Sequence, residues 1–268
     1  MEDILLHGIA IARKAGEAIL QSRKEGFETR MKDDNSPVTN ADLLSDNIIC
    51  EGLSRYGWPI LSEEKEKEDH RNAEYVWLVD PLDGTRSFAR GEDDFCVMIG
   101  LAKRGRSVLG VVYQPTTDKL YSAREGGGAF LEVRGTRIKL KVSDIQDPEK
   151  ARIIFSKNHP TPAMDTLASE LKVASSHRMS SSGVKMGLIA EGMVDLFFNP
   201  TSKMGEWDLC APQIIVEEAE GRVSGVRGEE LIYNKEIPKN PYGILATNGL
   251  LHAKALEIIQ LHKLYEPS

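Results

Sequence analysis

Two aspartates three residues apart, Asp80 and Asp83, close the run Tyr75-Val-Trp-Leu-Val-Asp80-Pro-Leu-Asp83-Gly-Thr85. Residues 75–79 are a short apolar run with aromatic and β-branched members, which predicts a buried strand that stops at Asp80. Pro81 suits the second position of a type I turn, which would bring the two carboxylates together and aim the Leu82 carbonyl outward. Gly84 and Thr85 then open a helix whose first backbone N–H groups can hold an anion. Two carboxylates and a carbonyl are hard oxygen ligands for a divalent cation, and the adjoining amides fit a phosphate. Asp, Pro and Gly are also the commonest turn residues, so a plain turn at a strand end competes with the metal site.

Three more carboxylates carry the same double reading. Asp42 stands three residues after Thr39, as in a capping box. Glu63 heads the charged run Glu63-Glu-Lys-Glu-Lys-Glu-Asp69, which by composition is a solvated loop. Yet it leaves a strand over 59–62 at the point where the neighbouring strand 75–80 ends. Asp208 directly precedes Leu209-Cys-Ala and so reads as a helix N-cap.

The chain has 268 residues, enough for one large core or two sub-domains, with 41% hydrophobic and 28% charged residues. Its net charge of −7 argues against polymeric nucleic acid or an anionic membrane as partner. A small phosphate remains compatible when bound cations invert the local field. Cys50, Cys96 and Cys210 are odd in number and unpaired in spacing, which points to a reducing compartment. Without signal-peptide character at Met1-Glu-Asp-Ile or any apolar run of about 18 residues, the expected location is cytoplasmic, with no membrane span.

The elements that would position these residues follow from periodicity. An amphipathic helix is expected over 2–22, a mobile loop over 24–35, and a helix from Thr39 to Leu53 burying Leu43, Ile48, Ile49 and Leu53. A short helix near 86–90 precedes strands at 95–102, 108–113, 119–123, 128–132 and 137–142. Their short, turn-like separators make them an antiparallel meander, and Gly126-Gly-Gly128 reads as a hairpin rather than a phosphate cradle. After a boundary near 143–150 strands and helices alternate, an α/β layer. Strands are expected at 152–156, 171–174, 194–198 and 242–247, and helices at 162–170, 182–191, 208–220 and 250–262. His252 and His262 fall on the last of these and are expected to face water.

Four pieces now stand in order: Asn35-Ser-Pro-Val-Thr-Asn-Ala-Asp42, Leu61-Ser-Glu-Glu64, Asp80-Pro-Leu-Asp-Gly-Thr85 and Glu206-Trp-Asp208. With Gly110-Val-Val-Tyr-Gln-Pro115 between them, the chain resembles the inositol monophosphatase superfamily over nearly its whole length. Ser156-Lys-Asn-His159 and Ser182-Gly-Val-Lys185 make it most similar to the 3′(2′),5′-bisphosphate nucleotidases. One feature departs: those enzymes often carry an Arg after strand 194–198, where this chain has Asn199-Pro-Thr-Ser-Lys203.

The resemblance implies a mixed α+β and α/β fold, a layered αβαβα sandwich with an N-terminal antiparallel sheet and a C-terminal mixed sheet. Residues 1–146 would carry most metal ligands, and 147–268 would carry Asp208 and the substrate contacts. It implies two or three magnesium ions, with manganese as the other candidate metal. Glu63, Asp80 and the Leu82 carbonyl would hold one ion, and Asp80, Asp83 and Asp208 a second, as in two-metal sites roughly 3.5–4 Å apart. Thr85, oriented by Asp42, would accept a proton from the attacking water, with Glu63 a further catalytic candidate. Gly84, Thr85, His159, Ser182, Lys185 and Lys203 would contact substrate, and Lys32 could close over the phosphate or a third ion. The expected activity is magnesium-dependent removal of the 3′-phosphate from adenosine 3′,5′-bisphosphate by a monomer or homodimer. An inositol monophosphatase or a fructose-1,6-bisphosphatase-type sugar phosphatase is the alternative. A non-catalytic phosphate-binding protein of the same fold is the third reading.

Overall fold

Leu5, Gly8, Ala12, Ala15 and Ile19 recur every three to four residues and, with Ile11 beside them, form the buried stripe of helix α1 (Glu2–Glu25). Glu2 and Asp3 lie in its first turn and Arg23 and Lys24 in its last, matching the helix dipole. The computed structural model describes residues 1–32, 36–65 and 72–265. Asn35 and the stretch 66–69 of the charged run lie outside the described residues.

A three-residue pair, β1 (Thr29–Met31) and β2 (Pro37–Thr39), runs antiparallel where a loop is expected. Its exposed residues show no hydrophobic alternation, so the register is invisible in sequence. Helix α2 (Asn40–Leu53) follows, capped by Thr39 in a complete capping box with Asp42. Ala41, Ser45, Ile49 and Leu53 form its buried side; Leu43, expected inside, is exposed.

The first sheet holds β3 (Ile60–Ser62), β4 (Tyr75–Asp83), β5 (Cys96–Lys103), β6 (Arg106–Gln114), β7 (Lys119–Arg124), β8 (Gly128–Val133) and β9 (Thr136–Lys139), in that order. β3 pairs parallel to β4 and the rest is the expected antiparallel meander. Its central strands β4, β5 and β6 are apolar on both faces because both are covered, whereas β9 at the edge is exposed. Trp77 and Val79 pack with α1 and α2, while their neighbours Val76 and Leu78 pack toward the middle of the molecule.

The second sheet is ordered β11-β10-β12-β14-β13. It comprises β10 (Arg152–Ser156), β11 (Ser175–Met179), β12 (Leu196–Asn199), β13 (Arg222–Gly225) and β14 (Ile244–Thr247). β10 pairs parallel with β11 and β12, and β14 antiparallel with β12 and β13, so the sheet is mixed. Helices α5 (Ser182–Ala190) and α6 (Cys210–Glu218) fill the space between the sheets. Helices α4 (Pro162–Leu171) and α7 (His252–Leu261) cover the outer face. With α1 and α2 outside the first sheet, the layers are αβαβα. α6 lies so close that a Cβ on Gly100 of β5 would meet the Ala211 nitrogen at 2.8 Å.

Edge strands account for the local differences from expectation. A strand was expected at 171–174, but Leu171 is the buried end of α4 and Lys172 is its left-handed cap. The strand lies at Ser175–Met179, a polar edge with its centre exposed. β13, unforeseen, is another edge strand of four residues.

His252, expected to face water, is buried between Ser224 (Oγ···Nε2 2.9 Å) and Thr247 (Oγ1···Nδ1 3.0 Å); His262 is exposed. Burial and the nearby Arg222 charge lower the His252 pKa to about 4. A histidine whose folded pKa is depressed stabilises the fold fully above its unfolded pKa, and that contribution fades as pH falls. Between about pH 6.5 and 4 the wild type should lose on the order of 3 kcal/mol relative to a His252→Asn variant. Urea unfolding of both proteins across that window checks this; a pH-independent difference would remove His252 from the account.

Candidate active site

The strand does not end at Asp80. β4 continues through Asp83, and the pairing with β5 shifts between Asp80 (opposite Met98) and Asp83 (opposite Cys96). That bulge, rather than a type I turn, places both carboxylates at one end of the sheet. Ser45 of α2 pins it by donating to the Pro81 carbonyl at 2.7 Å. The Leu82 amide donates to Asp80 Oδ1 at 3.0 Å. Gly84 follows at φ 102°, where a Cβ would meet the Asp94 carbonyl at 2.6 Å, so only glycine fits before α3 (Thr85–Ala89).

Asp208 reaches the same place from the loop before α6. It does not cap that helix: Leu209 is the N-cap residue, and Asp208 Oδ2 accepts from the Gly205 amide at 2.6 Å. Carboxylate oxygens of Asp80, Asp83 and Asp208 lie within 4.8 Å of one another. Burial raises the pKa of Asp80 well above the carboxylate range, and the charges of Glu63, Asp83 and Asp208 add to it. Asp208 is raised by burial, then by Glu63 and Asp83. Asp83 is raised by burial but opposed by the Lys185 charge. Three crowded carboxylates that resist ionising together fit a divalent cation by chemistry and by charge.

Each carboxylate is held from behind. Asp83 Oδ2 accepts from Ser181 Oγ at 2.6 Å and the Gly183 amide at 2.8 Å, with the Cys96 thiol at 3.7 Å. Ser181 is the N-cap of α5 and also accepts from the Val184 amide at 3.1 Å. Asp94 grips the Ser180 and Ser181 amides, which fixes the start of α5 against the bulge. Ser181 and Asp94 are not among the residues expected from sequence. The serine run before an apolar helix is the one signal for Ser181; for Asp94 there is none.

Glu63 leaves β3 beside Asp80, since Ser62 pairs with Val79 and the Glu63 amide donates to the Val79 carbonyl at 3.1 Å. Its side chain stands outside the 4.8 Å set and pairs with Lys32 at 3.1 Å. Lys32 also reaches Glu64 at 2.7 Å. Burial, then the Glu63 charge, lifts the Glu64 pKa to about 7 despite Lys32. Burial opposes the Lys32 charge, but the two glutamates outweigh it and raise its pKa.

Asp42 spends Oδ2 on the Thr39 amide and hydroxyl, at 2.8 and 2.5 Å, and Oδ1 on the Thr85 hydroxyl at 2.8 Å. Thr85 Oγ1 also lies 3.0 Å from the Leu82 carbonyl. The capping box expected of Asp42 and its link to Thr85 therefore coexist on different oxygens.

Glu63, Asp83, Gly84, Thr85 and Asp208 line a cleft of about 470 Å³ together with His159, Ser182, Lys185 and Lys203. Lys185 is 1% exposed, donates to the Ser180 carbonyl at 2.8 Å, and sits 4.7 Å over the Phe197 ring. Burial lowers its pKa to about 8 against the pull of Asp83, Asp94 and Asp208. His159 is held below its usual pKa by burial, then by Lys203, Arg86 and Lys185. Gly126 and Gly128 form the β7–β8 turn and donate to Glu218, away from the cleft.

The sequence profile of the inositol monophosphatase family matches residues 1–264. The 3′(2′),5′-bisphosphate nucleotidase CysQ of Salmonella typhimurium is 37% identical over 83% of this chain and 91% of its own. A crystal structure of CysQ from Bacteroides thetaiotaomicron superposes with a TM-score of 0.79 at 31% identity, covering 92% of this chain and 98% of that one. The extragenic suppressor protein suhB of Bartonella henselae gives a TM-score of 0.83 at 26% identity, over 96% and 98%.

Proposed function

The chain belongs to the inositol monophosphatase family, and we propose that it is a magnesium-dependent phosphatase removing the 3′-phosphate from adenosine 3′,5′-bisphosphate. The observation that carries this reading is that one cleft gathers both kinds of charge: Asp83 and Asp208 of the carboxylate cluster line it together with His159, Lys185 and Lys203. A substrate with two separated anionic groups matches such a cleft, and the CysQ relatives are named for such a substrate.

Asp80, Asp83 and Asp208 would hold magnesium, with the Leu82 carbonyl available while the Thr85 hydrogen points at Asp42, and Glu63 once Lys32 releases it. Bound magnesium would supply an activated water and charge neutralisation at the departing oxygen. Thr85 and Asp42 handle the proton. With its own hydrogen directed at Asp42, Thr85 Oγ1 offers a lone pair to a water in the cleft. Burial raises the pKa of Asp42, so it is a stronger base than an ordinary carboxylate and can take up positive charge from the Thr85 hydroxyl. The Gly84–Thr85 backbone at the start of α3 would orient phosphate oxygens.

The test compares kcat/KM for adenosine 3′,5′-bisphosphate, inositol 1-phosphate and fructose 1,6-bisphosphate with magnesium present. The nucleotide should win by at least about tenfold, the worth of one charge-assisted contact. Faster turnover of either other compound would replace the nucleotidase reading with the alternative it represents.

A further inference from the structure

The departure at Asn199 raises the question of which groups receive the second anionic end of a substrate. Asn199 is 5% exposed and its amide oxygen accepts from the Thr201 amide at 3.1 Å and hydroxyl at 3.0 Å. That oxygen is committed to its own turn, and an amide carries no charge to match the Arg it replaces. The cleft wall nearby instead carries Lys203 and Lys239, from segments far apart in the chain. Both lysines are exposed, and neither makes an ion pair among the described residues. By contrast Lys157 pairs with Glu92, and Lys235 with Glu206.

Lys239 is delivered there by a strap. Gly205 and Lys239 form an antiparallel bridge, the Glu206 amide donates to the Pro238 carbonyl at 3.0 Å, and the Asn240 amide to Met204 at 3.1 Å. Glu206, fully buried, then accepts from the Lys235 amide at 3.1 Å and pairs with Lys235 Nζ at 2.9 Å. A buried carboxylate satisfied this way ties segment 234–240 to the loop that carries Asp208. The strap therefore fixes the Lys239 backbone against the loop that carries Asp208.

We propose that Lys239, beside Lys203, binds the phosphate that is not cleaved and so determines preference for bisphosphorylated substrates, with Glu206 as the residue that positions it. This rests on the nucleotidase reading above. The chemistry is that of two ammonium groups, from chain segments that the strap pairs, available to one dianion in the cleft that both line.

The test uses the full chain with magnesium, as wild type, Lys239→Met and Lys239→Arg, on adenosine 3′,5′-bisphosphate and adenosine 3′-phosphate. Lys239→Met should lower kcat/KM for the bisphosphate about tenfold or more, mostly through KM, and change that for the monophosphate by under about twofold. Lys239→Arg should restore most of the loss, which a merely structural role would not require. Equal losses on both substrates, or none on the bisphosphate, would overturn the assignment while leaving the nucleotidase reading in place. A wild type that does not favour the bisphosphate, or that favours inositol 1-phosphate, overturns the nucleotidase reading and this assignment with it.

Discussion

Asp80→Asn should make the metal-free protein more stable while lowering turnover by about 10³-fold or more. Asp80 is 1% exposed and surrounded by the charges of Glu63, Asp83 and Asp208, so its ionised form is unfavourable in the folded chain. The variant removes that repulsion but keeps an oxygen for the Leu82 amide. A gain of about 1–2 kcal/mol is the size seen when strained functional groups are relieved. The sign with pH is opposite to that of a salt-bridged carboxylate. Because the folded pKa is raised, the fold binds a proton more tightly than the unfolded chain, and Asp80's contribution to stability is lost as pH rises from the ordinary carboxylate range through the folded value. Wild-type protein without divalent cations should therefore unfold more easily at pH 8 than at pH 5.5 at this site, and the Asp80→Asn variant should show a shallower decline. Added magnesium should raise the wild-type midpoint, by mass action, and hardly move the variant's. Calorimetry with and without magnesium measures all of this. A destabilised variant that still responds fully to magnesium would exclude Asp80 as a ligand.

Thr85→Ala should cost about 10²–10⁴ in kcat, with KM nearly unchanged, if the hydroxyl acts on the water as proposed above and not on substrate binding. Thr85 contacts Asp42 Oδ1 at 2.8 Å, and Asp42 has no other donor on that oxygen among the described residues. Asp42→Asn should produce a similar loss. The double variant should be little worse than either single one, as expected of two hydrogen-bonded groups acting as one proposed relay. Asp42 also closes the capping box of α2, so its variant should lose about 1 kcal/mol of stability that Thr85→Ala retains. Single-turnover kinetics beside thermal unfolding separates the two effects. Additive losses in kcat would show that Thr85 and Asp42 act independently.

Much of this architecture was legible from periodicity and local motifs. The α1 stripe, the Thr39 cap, the meander from 95 onward and the hairpin at Gly126 each depend on contacts within a few residues. Errors fell where structure depends on remote partners. The β1–β2 pair, β11 and β13 are short and lie at sheet edges or apart from the large sheets, so burial imposes no alternation on them. His252 was misplaced because its partners, Ser224 and Thr247, come from two strands. Asp208 departs from the N-cap its local sequence predicts because its oxygen faces Gly205, three residues back, and not the helix ahead.

The sequence alone determined which chemistry is available: the order of Asp42, Glu63, Asp80, Asp83, Thr85 and Asp208 resembles one family, and the profile match over 1–264 agrees. Only the tertiary structure decided how those groups are shared. The bulge, and not a turn, sets the spacing of Asp80 and Asp83; α5 takes one oxygen of Asp83; Lys32 occupies Glu63; and a strap from 234–240 brings Lys239 to the cleft. The reason is physical: a residue's type is local, whereas its electrostatic partner is whichever charge the packing of distant layers leaves beside it.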